Sequence, residues 1–293
     1  MGPACSRLPE VSTLALAAAL GLTACIDTGV LDGKACDEAG RCLTGYLCDP
    51  AAWSCQARSD RLLAEAGAAT RAPRIDADRE EWQDAPRVPL TKLGWGLAPD
   101  SPADFACTFA SLWDRRGLYL LVECRDDVHP APDSPDDLHE DDCVEVFLDL
   151  DASTRQAAYG PDANQLLVTS AAELQEYPGH PWGWTGEAAH GAEDGQAWWL
   201  ELRVDWPEDL AAPGAGALLG FDLAADDDDG EGGDTGRERQ LFFNDSSGQA
   251  WQDASLFGWL RLLPAGQAPE AGFCGDGACA GLETSAGCPA DCH

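Results

Sequence analysis

Two apolar runs joined by a short polar loop, Phe105-Ala-Cys-Thr-Phe-Ala-Ser-Leu-Trp113, Asp114-Arg-Arg-Gly117 and Leu118-Tyr-Leu-Leu-Val-Glu-Cys124, read as a β-hairpin. The loop ends in glycine, as four-residue hairpin connections often do, and both runs are rich in aromatic and branched residues. Pairing Trp113 with Leu118 sets the register and then places Phe109 opposite Val122 and Cys107 opposite Cys124. The members of these pairs are spaced by even numbers of residues, so they share one apolar face. Directly opposed cysteines lie within bridging reach, so a Cys107–Cys124 disulfide is expected. Cys143 is then the odd thiol of the middle section.

The pattern continues outward from the hairpin. Val144–Asp149, Gln165–Thr169, Ala197–Val204, Leu218–Ala224, Arg239–Asn244 and Phe257–Leu263 read as further strands separated by turn signals. Asp133–Asp142 and Asp226–Asp234 are acidic and carry Gly or Pro, so both are expected as loops. The fold class is therefore all-β, an antiparallel β-sandwich over residues 73–263, flanked by two small disulfide-rich segments. Residues 57–72 read mainly as a linker and 264–273 as another, rich in Pro, Gly and Ala.

The flanks point to export. Arg7 precedes the apolar run Val11–Leu22, which is too short to span a bilayer as a helix and matches a signal-peptide core. Leu22-Thr-Ala-Cys25 resembles the lipobox of bacterial lipoproteins, implying a signal peptide over 1–24 and lipidation of Cys25. A tether over 25–35 follows. The segment 36–56 holds Cys36, Cys42, Cys48 and Cys55, and 274–293 holds Cys274, Cys279, Cys288 and Cys292. Neither group has the CxxC pairs of a zinc finger, and segments too small for a core need covalent staples. Disulfides formed outside the cytoplasm are expected at both ends, with the pairing open. The expected location is a membrane-anchored lipoprotein facing the periplasm or the cell exterior. Acidic residues number 52 against 18 basic ones, a net charge of -34. That balance excludes a nucleic-acid partner, whose phosphates need Lys and Arg.

Several landmarks then accumulate in order: Arg74-Ile-Asp-Ala with Glu81-Trp82, Leu112-Trp-Asp114 with Gly117-Leu-Tyr119, Arg125-Asp-Asp127, Asp142-Cys-Val-Glu-Val-Phe-Leu-Asp149, Leu219-Gly-Phe-Asp-Leu223 and Trp251-Gln-Asp-Ala-Ser-Leu-Phe-Gly258. With this order and spacing the middle section resembles the family-nine carbohydrate-binding modules. Ile75 and Trp82 are expected to seat the first strand, and Phe109, Tyr119 and Phe147 to be core. The resemblance implies a sandwich that grips a sugar chain between aromatic walls, whose apolar faces suit the C–H face of a pyranose. One wall falls on Trp251. The facing tryptophan position holds His139, an arginine position holds Leu167 and a glutamine position holds Ala224, while Glu145 is retained. The expected carbohydrate-binding set is Trp251, His139, Glu145 and Gln165. Trp182 and Trp184, in a Pro/Gly/His loop, and Trp95, between glycines, are candidates for a replacement platform. Edge packing beneath a loop is the other role open to them.

The family also implies structural Ca²⁺, with Asp126, Asp127, Asp76 and Asp253 as candidate ligands, since that ion takes six to eight oxygens. No nucleophile or metalloprotease motif surrounds the five histidines. The expected function is non-catalytic binding of a polysaccharide or oligosaccharide, beside secreted glycoside hydrolases as working partners. A structural or protein-interaction lipoprotein without a sugar site is the alternative, and a glycoside-hydrolase-associated role in polysaccharide breakdown the second.

Overall fold

The computed structural model describes residues 34–35, 46–49, 54–57, 61–129, 138–150, 158–177, 183–193, 196–230 and 236–269. The signal segment, Cys25, Cys36, Cys42, Trp182 and the four C-terminal cysteines lie outside them. Three short strands stand first: β1 (Lys34–Ala35), β2 (Tyr46–Asp49) and β3 (Ser54–Ala57), in the order β1-β3-β2 with Cys48 opposite Cys55 in register.

The main body is a sandwich. One sheet holds β5 (Val88–Pro89), β7 (Phe105–Trp113), β8 (Gly117–Asp126), β12 (Gly186–Glu193) and β13 (Ala197–Asp205). The other holds β6 (Lys92–Gly96), β9 (Cys143–Asp149), β10 (Ala163–Thr169), β11 (Leu174–Glu176), β14 (Leu218–Asp227), β15 (Arg239–Phe242) and β16 (Gly258–Leu262). The segment expected as a linker is a strand instead: β4 (Leu63–Ala68) pairs parallel to β16 through Leu63–Ala66 and parallel to β7 through Gly67–Ala68. It thus passes from one sheet to the other. Its alanine and glycine residues are small enough for that crossing, and Ala64 and Ala66 are fully buried.

The central hairpin has the expected register: Trp113 pairs Leu118, Phe109 pairs Val122 and Cys107 pairs Cys124. Cys107 and Cys124 are disulfide-bonded, and Cys143 is a free, buried thiol. Asp114 organises the loop by accepting from the Arg116 and Gly117 amides at 2.7 and 3.2 Å. The main core lies between the sheets, where Phe109, Phe221 and Phe243 meet with ring centroids 5.4–6.0 Å apart. Phe109, Tyr119 and Phe147 are all buried, yet in three separate clusters. Ile75 and Trp82 lie in no strand themselves and pack on the outside of the β7–β8 hairpin. Residues Arg79–Trp82 form a 3-10 turn that folds Trp82 over the outer face of β8, against Tyr119 and Leu121. The Trp82 indole donates to Glu201 at 2.7 Å, and the Asp76 amide donates to the same carboxylate at 2.9 Å. Of the adjacent tryptophans in β13, Trp198 is core and Trp199 lies half-buried outside.

Candidate functional site

The second sheet has a polar outer face, and its register sets which side chains meet there. Directly opposed residues share a face, so Glu145 on β9 lies in one row with Leu167 on β10 and Ala224 on β14. These are the two positions where the family resemblance places an arginine and a glutamine, and both are apolar here. The donors come from one residue pair further along. Gln165, diagonal to Glu145, donates its amide to Glu145 Oε2. Gln240 on β15, opposite Asp226, donates to Glu145 Oε1 at 2.9 Å. Arg237 donates to Asp226 at 2.9 Å and reaches Glu145 at 3.4 Å. Burial and the neighbouring Asp226 hold the Glu145 carboxyl well above the usual range, and burial likewise raises Asp226 against the pull of Arg237.

Above this floor lies a cavity of about 290 Å³ lined by His139, Glu145, Phe147, Gln165, Tyr177, Arg237, Gln240, Phe242 and Trp251. Trp251 is 42% exposed, and its ring meets that of Tyr177 at 6.3 Å between centroids and 55° between planes. The two rings form a corner. Each is placed by the sheet. The Tyr177 amide donates to the Gln165 carbonyl at 3.0 Å, extending the ladder just past β11. Trp251 hangs on a chain of carboxylates: Asp222 on β14 accepts from the Asn244 and Asp245 amides, and Asp245 accepts from those of Gln249 and Ala250. His139 sits on a 3-10 turn (Leu138–Glu140) that Glu140 ties to the Arg237 amide at 3.1 Å.

The structure therefore brings Trp251, His139, Glu145 and Gln165 to one cavity. Trp184 is excluded from it, because its indole is buried in the main core. Tyr177, Arg237, Gln240 and Phe242 are lining residues that the sequence did not single out. Such a cavity, with aromatic rings on one side and a rigid polar floor, suits a neutral ligand that is apolar on its face and rich in hydroxyls on its rim.

The family described as carbohydrate family 9 binding domain-like matches residues 75–264. The chain belongs to that family. It is 29% identical over 174 residues to "Exoglucanase XynX" of Acetivibrio thermocellus, covering 59% of this chain and 15% of that relative. It is 28% identical over 175 residues to "Endo-1,4-beta-xylanase A" of Thermoanaerobacterium saccharolyticum, covering 59% and 14%. The match thus spans about a seventh of these enzymes, and the matching part is the binding module. Two solved structures of a family 9 module from Caldicellulosiruptor kristjanssonii share the fold. The one in complex with cellotriose superposes with a TM-score of 0.58 at 20% identity, over 72% of this chain and all of that one. The one in complex with glucose gives 0.57 at 20% identity, over 70% and 98%.

A second polar centre lies at one end of the sandwich, where the core-facing rows of the two sheets run out. Asp227 ends β14, Asp126 ends β8, and both are fully buried. The run expected as a loop from Asp226 onward begins inside this strand. Oxygens of Asp126, Asp127 and Asp229 lie within 4.8 Å of one another, as do those of Asp104, Asp227 and Asp229. Arg239 lies 2.8 Å from both Asp227 and Asp104. Its approach to Asp227 is off the line of a hydrogen bond, so both Asp227 oxygens stay buried without a hydrogen-bond partner. Burial and crowding raise Asp126 to about 7, Asp229 to about 6 and Asp227 to about 9. Asp76 and Asp253 do not join this group. Asp76 turns its carboxylate to the Asp78 amide and Asp253 caps the turn at Ala254–Leu256. Orphaned buried oxygens among further acids fit a hard, oxygen-seeking cation such as Ca²⁺.

Proposed function

We propose that this protein binds a polysaccharide or oligosaccharide in the cavity above Glu145, with Trp251 and Tyr177 as stacking surfaces and no chemistry of its own. The observation that carries this reading is the rebuilt floor. Leu167 and Ala224 have removed two polar groups, and Gln165, Gln240 and Arg237 converge on the same carboxylate from neighbouring positions. A sandwich kept only as a scaffold would have no reason to hold buried hydrogen-bonding groups in place beneath an open aromatic corner. Bound hydroxyls would donate to and accept from this preset array, while a sugar face covers the indole. Ca²⁺ would be held by Asp126, Asp127 and Asp229, with Asp104 and Asp227 beside them, clipping the ends of the two sheets together.

The export signals complete the proposal. Cys25 carries the lipid, residues 26–60 bring the chain to the sandwich, whose β4 begins at Leu63, and the module faces outward as a surface receptor. It holds polysaccharide near the cell for secreted glycoside hydrolases. A glycan array probed with the full chain, with and without Ca²⁺, tests the binding. Retention of some glycans by the wild type and loss in Trp251→Ala is the expected outcome, and no binding to any glycan refutes it. Replacing Cys25 by Ala should move the protein from the membrane to the soluble fraction; persistence on the membrane would refute the anchor.

A further inference from the structure

We infer that Trp95 is a second sugar platform, which makes the site one for a chain of rings. This inference rests on the reading of the cavity above. The decisive feature is a β-bulge. Strand β6 pairs with β15 through Lys92–Phe242 and Leu93–Leu241, the register then slips, and Trp95 comes opposite Gln240. In an unbroken strand, Trp95 would share the face of Leu93, opposite the core residue Leu241. The extra residue, Gly94, turns it to the other face, the one on which Gln240 and Phe242 line the cavity. Only glycine fits at the bulge, since a Cβ on Gly94 would lie 2.4 Å from the Phe242 ring. The re-aimed indole is 50% exposed. It is also joined to the site: the Arg237 guanidinium carbon lies 5.1 Å from its centroid, and one guanidinium nitrogen reaches the Glu145 carboxylate. An indole turned away from the core, left open and coupled to the polar floor has the attributes of a stacking surface for the ring next to the one in the cavity.

The test compares chain lengths by titration calorimetry on the full protein, using glucose against cellotriose and xylose against xylotriose. The wild type should bind at least one trisaccharide about tenfold more tightly than its monosaccharide. Trp95→Ala should lower that trisaccharide affinity by roughly fivefold to tenfold and leave the monosaccharide within about twofold. Trp95→Phe should restore part of the gain, and Trp251→Ala should weaken binding of both lengths by roughly thirtyfold. An unchanged length preference in Trp95→Ala overturns the inference while leaving the cavity reading intact, as does a wild type with no length preference. A wild type that binds none of the four sugars overturns the inference and leaves the cavity reading to the glycan array. Because Trp95 is on an edge strand and exposed, an unaltered melting temperature confirms that each variant is folded.

Discussion

Asp226 and Asp227 are neighbours at the end of one strand, and they lead to opposite solutions of the same problem. Both are fully buried. Asp226 points to the outer face, where Arg237, Gln165 and Gln240 supply donors to it or to Glu145 beside it. Asp227 points between the sheets, where Asp104, Asp126, Asp142 and Asp229 crowd around and Arg239 is the cation paired with Asp227 and Asp104. His129, hydrogen-bonded to Asp142 at 2.7 Å, is a further nearby group of the opposite sign when protonated. The first arrangement satisfies its charge internally and so leaves its cavity to a neutral ligand. The second leaves both Asp227 oxygens without a hydrogen-bond donor, which is why the proposed calcium site is placed there.

The contrast can be broken from either side. The largest effect is expected for Glu145→Ala, which strips three donors of a shared acceptor. It should cost about 3 kcal/mol of stability and remove sugar binding, while the calcium response stays. Denaturant unfolding with and without Ca²⁺ reads both. At about a hundred times its Kd, Ca²⁺ should add about 2.7 kcal/mol to the wild type. Asp227→Asn should abolish most of that gain and leave sugar affinity within about twofold; a lost sugar response would merge the two centres into one. The third effect is smaller and concerns pH. Asp126, Asp222 and Asp227 have folded pKa values raised from 3.8 to about 7, about 8 and about 9, chiefly by burial. Their contribution is fully present below the unfolded value and is lost as pH rises through the folded ones. Metal-free protein should therefore melt at falling temperatures from pH 5 to pH 9. Calcium needs the deprotonated carboxylates, so its stabilisation should grow over the same range. A calcium effect that shrinks with rising pH would contradict this placement.

Much of the fold was legible because its cues are local. The hairpin around Asp114–Gly117 carries turn chemistry, alternation and a cysteine pair that agree on a single register. Strand β4 escaped because Leu63-Ala-Glu-Ala-Gly-Ala68 has neither β-branched nor aromatic residues. Its strand character comes from two parallel neighbours far away in the chain. The site was legible where a side chain keeps its place, as at Trp251 and Glu145. Gln165, two residues along β10 from Leu167, was in the expected set, but Gln240 was not legible, because it reaches Glu145 across the diagonal from Ala224 on a different strand. Arg237 gave a fainter signal, as a basic residue directly after an acidic run. Trp184 misled because a Gly-flanked tryptophan looks the same in sequence whether it caps a core or lines a cleft. Trp95 depends on a one-residue bulge that only the pairing with β15 reveals.

The most direct test of the account is calorimetric titration of the full chain with a glycan retained on the array, wild type against Trp251→Ala. The wild type should bind saturably and the variant should lose about 2 kcal/mol, roughly thirtyfold, with the same melting temperature. Equal affinity in the two proteins would contradict it, because the aromatic corner would then have no part in holding the sugar.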